Sequence, residues 1–269
     1  MTWASYHLHL PADGDAAADR LLAGEILSAV HQEEEAGRLR RFFFLRYGEG
    51  GPHLRLRFLP RSGAAGLSAA SSRYLQAEVE GWARDLGGHF EAQPYDRGGQ
   101  YFGQRVESVY AELLNLETTR LALALLERFP PDQRVLRWIA TTCAMAELLR
   151  ASTGGAIDRE VEEGRDFARR VARDLGFDTR KAEQTSGRAA ARAVAQAMPQ
   201  IAGGLPEPLM KPIADLLRRC RRRRGPLGRQ VAVHGLHLLC NKTGFTLTEE
   251  QESYATLAFL ASNPKGIPS

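Results

Sequence analysis

The strongest constraint in this sequence is a change of hydrophobic period within the first hundred residues. Over residues 3–10 apolar side chains alternate, with Tyr6, Leu8 and Leu10 on one side and Ser5, His7 and His9 on the other. Alternation of that kind makes a half-buried strand. Residues 16–35 switch to helical spacing through Leu21, Leu22, Ile26, Leu27 and Val30. Residues 41–47 and 53–59 return to strand character on either side of Gly48-Glu49-Gly50-Gly51-Pro52, which reads as a turn. Residues 67–86 are helical, with Tyr74, Val79, Trp82 and Leu86 on the apolar side, and residues 89–95 form a fourth strand. The order is βαββαβ. It dictates a ferredoxin-like antiparallel sheet with two helices on one face.

Beyond residue 103 the pattern becomes helical. Helices are expected at 105–128, 132–151, 158–175, 186–198, 209–223, 229–242 and 249–261, broken by Gly154-Gly155, Gly203-Gly204-Leu205-Pro206 and Gly225-Pro226. Thr248 followed by Gln251 reads as a capping box for the last helix. The polar stretch 180–192 reads as a loop. The expectation is one α+β protein over residues 1–269, with a ferredoxin-like split βαβ sheet in 1–103 and a helical half in 104–269.

Composition narrows the class. The chain has 269 residues, 43% hydrophobic and 25% charged, which suffices for a real core and excludes bulk disorder. Cys143, Cys220 and Cys240 are odd in number and show no CxxC spacing, so they read as reduced thiols rather than a disulfide framework or zinc cage. No secretory signal and no apolar run of about 20 residues is visible. A soluble, cytoplasmic protein with no membrane partner is expected. Neither a Walker A sequence nor a GxGxxG in a βαβ context occurs, so a nucleotide fold is not supported. No metal or organic cofactor is implied. The arginine-rich run at 218–224 suits nucleic acid, an acidic peptide, or simply a solvated helix end. The third strand, Leu-Arg-Leu-Arg-Phe, lacks the aromatic pattern of RNA-binding sheets, so no nucleic-acid partner is expected.

Three segments could carry chemistry. In Gly51-Pro52-His53-Leu54-Arg55-Leu56-Arg57-Phe58, strand alternation puts His53, Arg55 and Arg57 on one face. That row is either a clamp for an anion or carbonyl, or the solvated outside of a half-buried strand. Near the end, His234, His237 and Asn241 share one helix face at spacings of three and four. They offer a general acid/base with an orienting neighbour, or two surface histidines. A metal site there lacks a carboxylate or cysteine at ligand spacing. Between sheet and helices runs Pro94-Tyr95-Asp96-Arg97-Gly98-Gly99-Gln100-Tyr101-Phe102-Gly103-Gln104, a cleft-lining loop or a plain connector.

Taken together these residues resemble a known family. Phe42-Phe43-Phe44-Leu45-Arg46-Tyr47 followed by Gly51-Pro52-His53-Leu54-Arg55-Leu56-Arg57 resembles the FFIRY…GPHLRLR signature of the small, C-terminal domain of class I lantibiotic dehydratases. Stand-alone thiopeptide biosynthesis proteins share that signature. Trp3-Ala4-Ser5-Tyr6-His7-Leu8 fits the family's start, and His237-Leu238-Leu239-Cys240-Asn241-Lys242 resembles its HMxxNR, with lysine for arginine. The resemblance covers almost the whole chain.

It implies one of two activities in the biosynthesis of ribosomally made peptide natural products. One is elimination of glutamate from glutamylated Ser/Thr to leave dehydroalanine or dehydrobutyrine. The other is pyridine synthesis, a formal [4+2] cycloaddition of two dehydroalanines followed by loss of water and the leader peptide. Elimination domains carry YxxExxRYGG, and aligning on Tyr95 puts Tyr101 where its arginine stands. Pyridine synthases resemble AFGG there, so Phe102-Gly103 favours the cyclase. Arg97 or Arg105 could replace the missing arginine in an elimination enzyme. A third possibility is a non-catalytic protein that binds the precursor peptide.

The cyclase reading assigns acid/base roles to Tyr101 and His237. Arg55 and Arg57 hold carbonyls or developing negative charge. Arg46, His53, Tyr95, Arg97, Arg105, His234 and Asn241 are implied substrate-binding residues. The partners are the precursor peptide, leader and dehydrated core, and possible further enzymes of the same pathway.

Overall fold

The structure is a computed structural model that describes residues 3–12, 14–48, 50–61, 65–95, 105–153, 161, 206–222 and 226–262. The helices expected at 158–175 and 186–198 and the loop at 180–192 lie outside the described residues, apart from Val161.

Strand β1 (Ala4–His9) leads into helix α1 (Asp15–Leu21), which runs through a π turn at Leu22–Ile26 into α2 (Leu27–Glu35). Strands β2 (Leu39–Tyr47) and β3 (His53–Pro60) form a hairpin. Helix α3 (Ala65–Asp85) returns to β4 (His89–Ala92). The sheet order is β2-β3-β1-β4 with every neighbouring pair antiparallel, the ferredoxin-like arrangement. It follows from two β-α-β crossovers, each leaving a gap of one strand between the two strands it joins, which the other unit fills. The helical half contains α4 (Arg105–Arg128), a 3-10 turn at Pro131–Gln133, α5 (Arg134–Thr153), α6 (Glu207–Arg222), α7 (Pro226–Lys242) and α8 (Leu247–Ser262).

Period-two alternation decides which face of the sheet is dry. Tyr6, Leu8, Leu54, Leu56, Phe58, Phe42 and Phe44 are buried and meet Leu22, Ile26, Val79 and Trp82 of the helices in one core. The same core continues into α4–α8 through residues such as Leu121, Met145, Leu217, Leu239 and Tyr254. On the opposite face a smaller cluster of Trp3, Phe43, Leu59 and Leu116 roofs one end of the sheet with α4.

Three polar devices join the halves. The buried Asp19 of α1 binds Arg46 of β2 through one oxygen and Arg137 of α5 through the other, each at 2.5 Å. Two guanidiniums sharing one carboxylate leave neither ion unpaired in a low dielectric. Asn241 at the end of α7 accepts from the Arg46 backbone N–H at 3.0 Å and donates to the Arg46 carbonyl at 2.8 Å. Its amide therefore stands in for one residue of a further strand on the β2 edge. Lys242 donates to the Asn115 carbonyl, Asn115 Oδ1 and Thr118 Oγ1 of α4. Burial pushes its pKa well below the ordinary lysine value.

Two sequence expectations shift, the first being the fourth strand, which was expected over residues 89–95 and ends at Ala92. The cap of α8 is built by Thr246 and Glu249, not Thr248 and Gln251. Glu249 N–H donates to Thr246 Oγ1, and the Thr246 N–H donates to Glu249 at 2.7 Å. Both pairs have capping-box spacing. Thr246-Glu249 prevails because Glu249 also takes a forked contact from Arg134 of α5.

Candidate functional site

The face of the sheet turned away from α1–α3 is where the charged residues gather. Its pairing sets three ranks of side chains across the strands. The first rank is Tyr47, His53, His9 and His89; the second is Leu45, Arg55, His7 and Glu91; the third includes Phe43, Arg57 and Ser5. Ring centroids in the first rank are spaced 5.7, 4.9 and 4.3 Å from β2 to β4. His7 stacks on His53 at 5.2 Å.

The arginines fix the protonation of two of these rings. Arg55 Nε donates to His53 Nε2 at 3.1 Å, while its guanidinium lies 3.4 Å over the Tyr47 ring. A guanidinium has no acceptor, so His53 Nε2 carries the lone pair and the proton sits on Nδ1. That proton goes to the Gly51 carbonyl at 2.9 Å. Gly51 lies at φ 100°, a left-handed conformation that glycine adopts without a Cβ clash. Arg57 Nη2 likewise faces His7 Nε2 at 3.2 Å, and Arg57 Nη1 donates to the Leu56 carbonyl at 3.0 Å and the Tyr6 carbonyl at 3.3 Å.

Both imidazoles are held neutral. Burial first, then Arg57 and Arg55, push the His7 pKa down to about 4. Burial lowers His53 as well, against the opposing hydrogen bond to Gly51. Burial and the neighbouring Arg55 bring Arg57 down to about 10. Among the described residues no carboxylate pairs with Arg55 or Arg57. The face therefore presents cationic donors beside neutral imidazoles, a combination suited to carbonyl or carboxylate oxygens. Tyr95 closes one side, 5.8 Å from the Arg57 guanidinium and 5.3 Å from Trp3.

Of the residues singled out by sequence, the structure brings His53, Arg55, Arg57 and Tyr95 together here. Arg46 has the opposite strand parity and reaches Asp19 and the Lys242 carbonyl instead. The Asn241 amide is engaged by the Arg46 backbone. His237 pairs with Glu250 of α8 at 2.9 Å, and the His234 ring lies 6.0 Å from it. Burial lowers the His237 pKa, but the charge and hydrogen bond of Glu250 outweigh it and the net shift is upward. Burial with the nearby His237 pushes His234 down to about 3. Tyr101 and Arg97 lie outside the described residues. Arg105 opens α4, and its side chain lies outside them too.

Sequence reasoning passed over His7, His9, His89, Glu91 and Tyr47 as site residues. The alternation of histidines at positions 7 and 9 was a signal. Their meeting with His53 and His89 depends on cross-strand register, which no single segment shows.

The profile of the lantibiotic biosynthesis dehydratase C-terminal family matches residues 3–262. The chain belongs to that family. Solved structures are similar along its length. TsrL shares 15% identity over 99% of both chains with a TM-score of 0.62. TbtD, a pyridine synthase from thiomuracin biosynthesis, shares 14% identity over 99% of both chains with a TM-score of 0.70. MibB, a tRNA dependent lantibiotic dehydratase from Microbispora sp. 107891, shares 21% identity with a TM-score of 0.61; the match covers 98% of this chain and 28% of MibB. At these identities the likenesses establish the dehydratase C-terminal fold. No curated protein matches the sequence. Among the described residues no helix is long and apolar enough to cross a membrane.

Proposed function

We propose that this family member is a pyridine synthase acting on a precursor peptide that carries two dehydroalanines. The observation that carries the reading is the sheet face itself: two arginines without a carboxylate partner among the described residues, set beside imidazoles whose lone pairs face them. The reaction asks for little covalent help. It asks that two alkenes be held at near-attack distance, which removes much of the entropic barrier. Arg55 and Arg57 hold the backbone carbonyls of the core peptide and polarise the amide that tautomerises to the azadiene. Two C–C bonds then close the ring, whose nitrogen the azadiene already holds, and proton transfers accompany cleavage of the C–O bond that releases water and of the C–N bond that releases the leader peptide.

His237, held at Nδ1 by Glu250, has the carboxylate–imidazole pairing of a general base. Tyr101 is the second acid/base group in this proposal, with Tyr95, His53, Arg97 and Arg105 as binding residues. Support comes from the full-length structural likeness to TbtD and from Phe102-Gly103 in the junction loop.

A second reading draws on the same arginines. A guanidinium without a carboxylate partner binds a free carboxylate bidentately, so the face also suits the glutamate leaving group of an elimination. Incubation with a peptide bearing two dehydroalanines separates the two. Cyclisation yields a pyridine chromophore and a product lighter by water and leader. Return of that peptide unchanged, while a glutamylated peptide loses glutamate, overturns the cyclase in favour of the lyase.

A further inference from the structure

We propose that His9, His89 and Glu91 form a binding site for a divalent first-row transition metal ion of the Zn2+ or Co2+ type. One ligand atom from each of the three lies within 4.8 Å of the others. The arrangement follows from the strands. His89 and Glu91 are two apart on β4 and so share a face. His9 stands directly across from His89 on β1. Two imidazole nitrogens and a carboxylate oxygen are the donors such ions take, and three protein ligands leave a fourth position for water or a substrate oxygen.

Among the described contacts, the arginines engage His53 and His7 but not His9. His53 spends Nδ1 on Gly51 and Nε2 on Arg55, and His7 spends Nε2 on Arg57. His9 Nε2 is shielded from solvent and has no hydrogen-bond partner. A buried polar atom left this way points to a ligand, because leaving it unmatched carries a desolvation penalty. Its ring is sandwiched between His53 and His89, with the His89 plane parallel to within 1°.

The surroundings orient the other ligands. Gln93 Nε2 donates to Glu91 Oε2 at 3.0 Å, and Glu91 Oε1 lies 4.0 Å from His89 Nε2. An outer partner on the second carboxylate oxygen is what ligating carboxylates normally have. Arg55 is held over Tyr47, about 10 Å and two strands away, so it does not compete for Glu91. Tetrahedral coordination needs donors about 3.3 Å apart. Small rotations of the exposed His89 and Glu91 side chains supply that closure. Gly88 keeps the strands close enough: a Cβ there would lie 2.0 Å from the His9 carbonyl oxygen.

The test is titration of tag-free, full-length protein with Co2+, followed by its visible absorption and by displacement with Zn2+. The expected result is one equivalent bound with Kd at or below about 10 µM. His89→Ala and Glu91→Gln should each weaken binding at least about tenfold. Both residues are exposed, and circular dichroism reports whether the fold is kept. Absence of a Co2+ spectrum overturns the site. So does binding that survives in folded His89→Ala, which would place the ion elsewhere.

Discussion

At Arg57 a guanidinium is almost enclosed, and its donors are divided between two backbone carbonyls and His7. Lysine keeps the charge but has no planar fork. Both Arg57→Ala and Arg57→Lys are expected to lower kcat/KM for the dehydrated peptide by more than about tenfold, as loss of a charged donor to a developing charge does. Steady-state kinetics beside a thermal melt check this, and a Lys variant with wild-type turnover would remove the fork from the mechanism. A different residue gives a pH prediction. Glu250 raises the His237 pKa above its ordinary 6.5. The protonated pair therefore adds stability that is fully present below about 6.5 and is lost as pH rises through the folded-state value. Glu250→Gln can still accept from Nδ1–H, so it should lower the melting temperature at pH 5.5 and change it little at pH 9. Equal losses at both pH values would contradict the ion pair. Strand alternation already made residues 53, 55 and 57 readable as one face. The protonation of His53 was not readable, because it depends on a carbonyl in the turn and a neighbour two residues away.

Among the elements, α7 does for β2 what a neighbouring strand would do. Two hydrogen bonds from one side chain, both to Arg46, occupy the edge. Asn241→Ala strands a half-buried backbone N–H and C=O, at a cost of about 1–3 kcal/mol. Urea unfolding monitored by tryptophan fluorescence measures it, and Asn241→Asp should recover the acceptor half only. The cap of α8 gives a smaller effect: Thr246→Ala should cost about 1 kcal/mol, whereas Thr248→Ala should cost less. Element boundaries were largely legible, since α4 begins and ends where hydrophobic spacing puts it. The cap was not. Thr246-Glu249 and Thr248-Gln251 carry the same local pattern, and only Arg134, more than a hundred residues away, distinguishes them. Strand pairing was legible as topology but not as register, so the ring row from Tyr47 to His89 could not be assembled from its four separate segments.

Over the whole molecule, Asp19 is the point where the sheet, its first helix and the helical half share one charge. Asp19→Asn would leave two buried guanidiniums facing a neutral amide, and a loss of about 3–5 kcal/mol is expected. Chemical denaturation followed by circular dichroism and by fluorescence should give one coincident transition in the wild type; separate transitions would show that the halves fold independently. The α+β division near residue 103 was visible in the change of period. This tie was not, because nothing in Asp19, Arg46 or Arg137 marks them as partners in sequence. Their closure has a consequence for transplantation. Carboxylate and both guanidiniums belong to the same chain, so the tie is made without an outside group, and the cluster keeps one net positive charge. Fusion to another protein through the surface is therefore expected to leave this tie intact. The same fold within MibB, where it occupies 28% of a longer chain, is a natural instance of such portability.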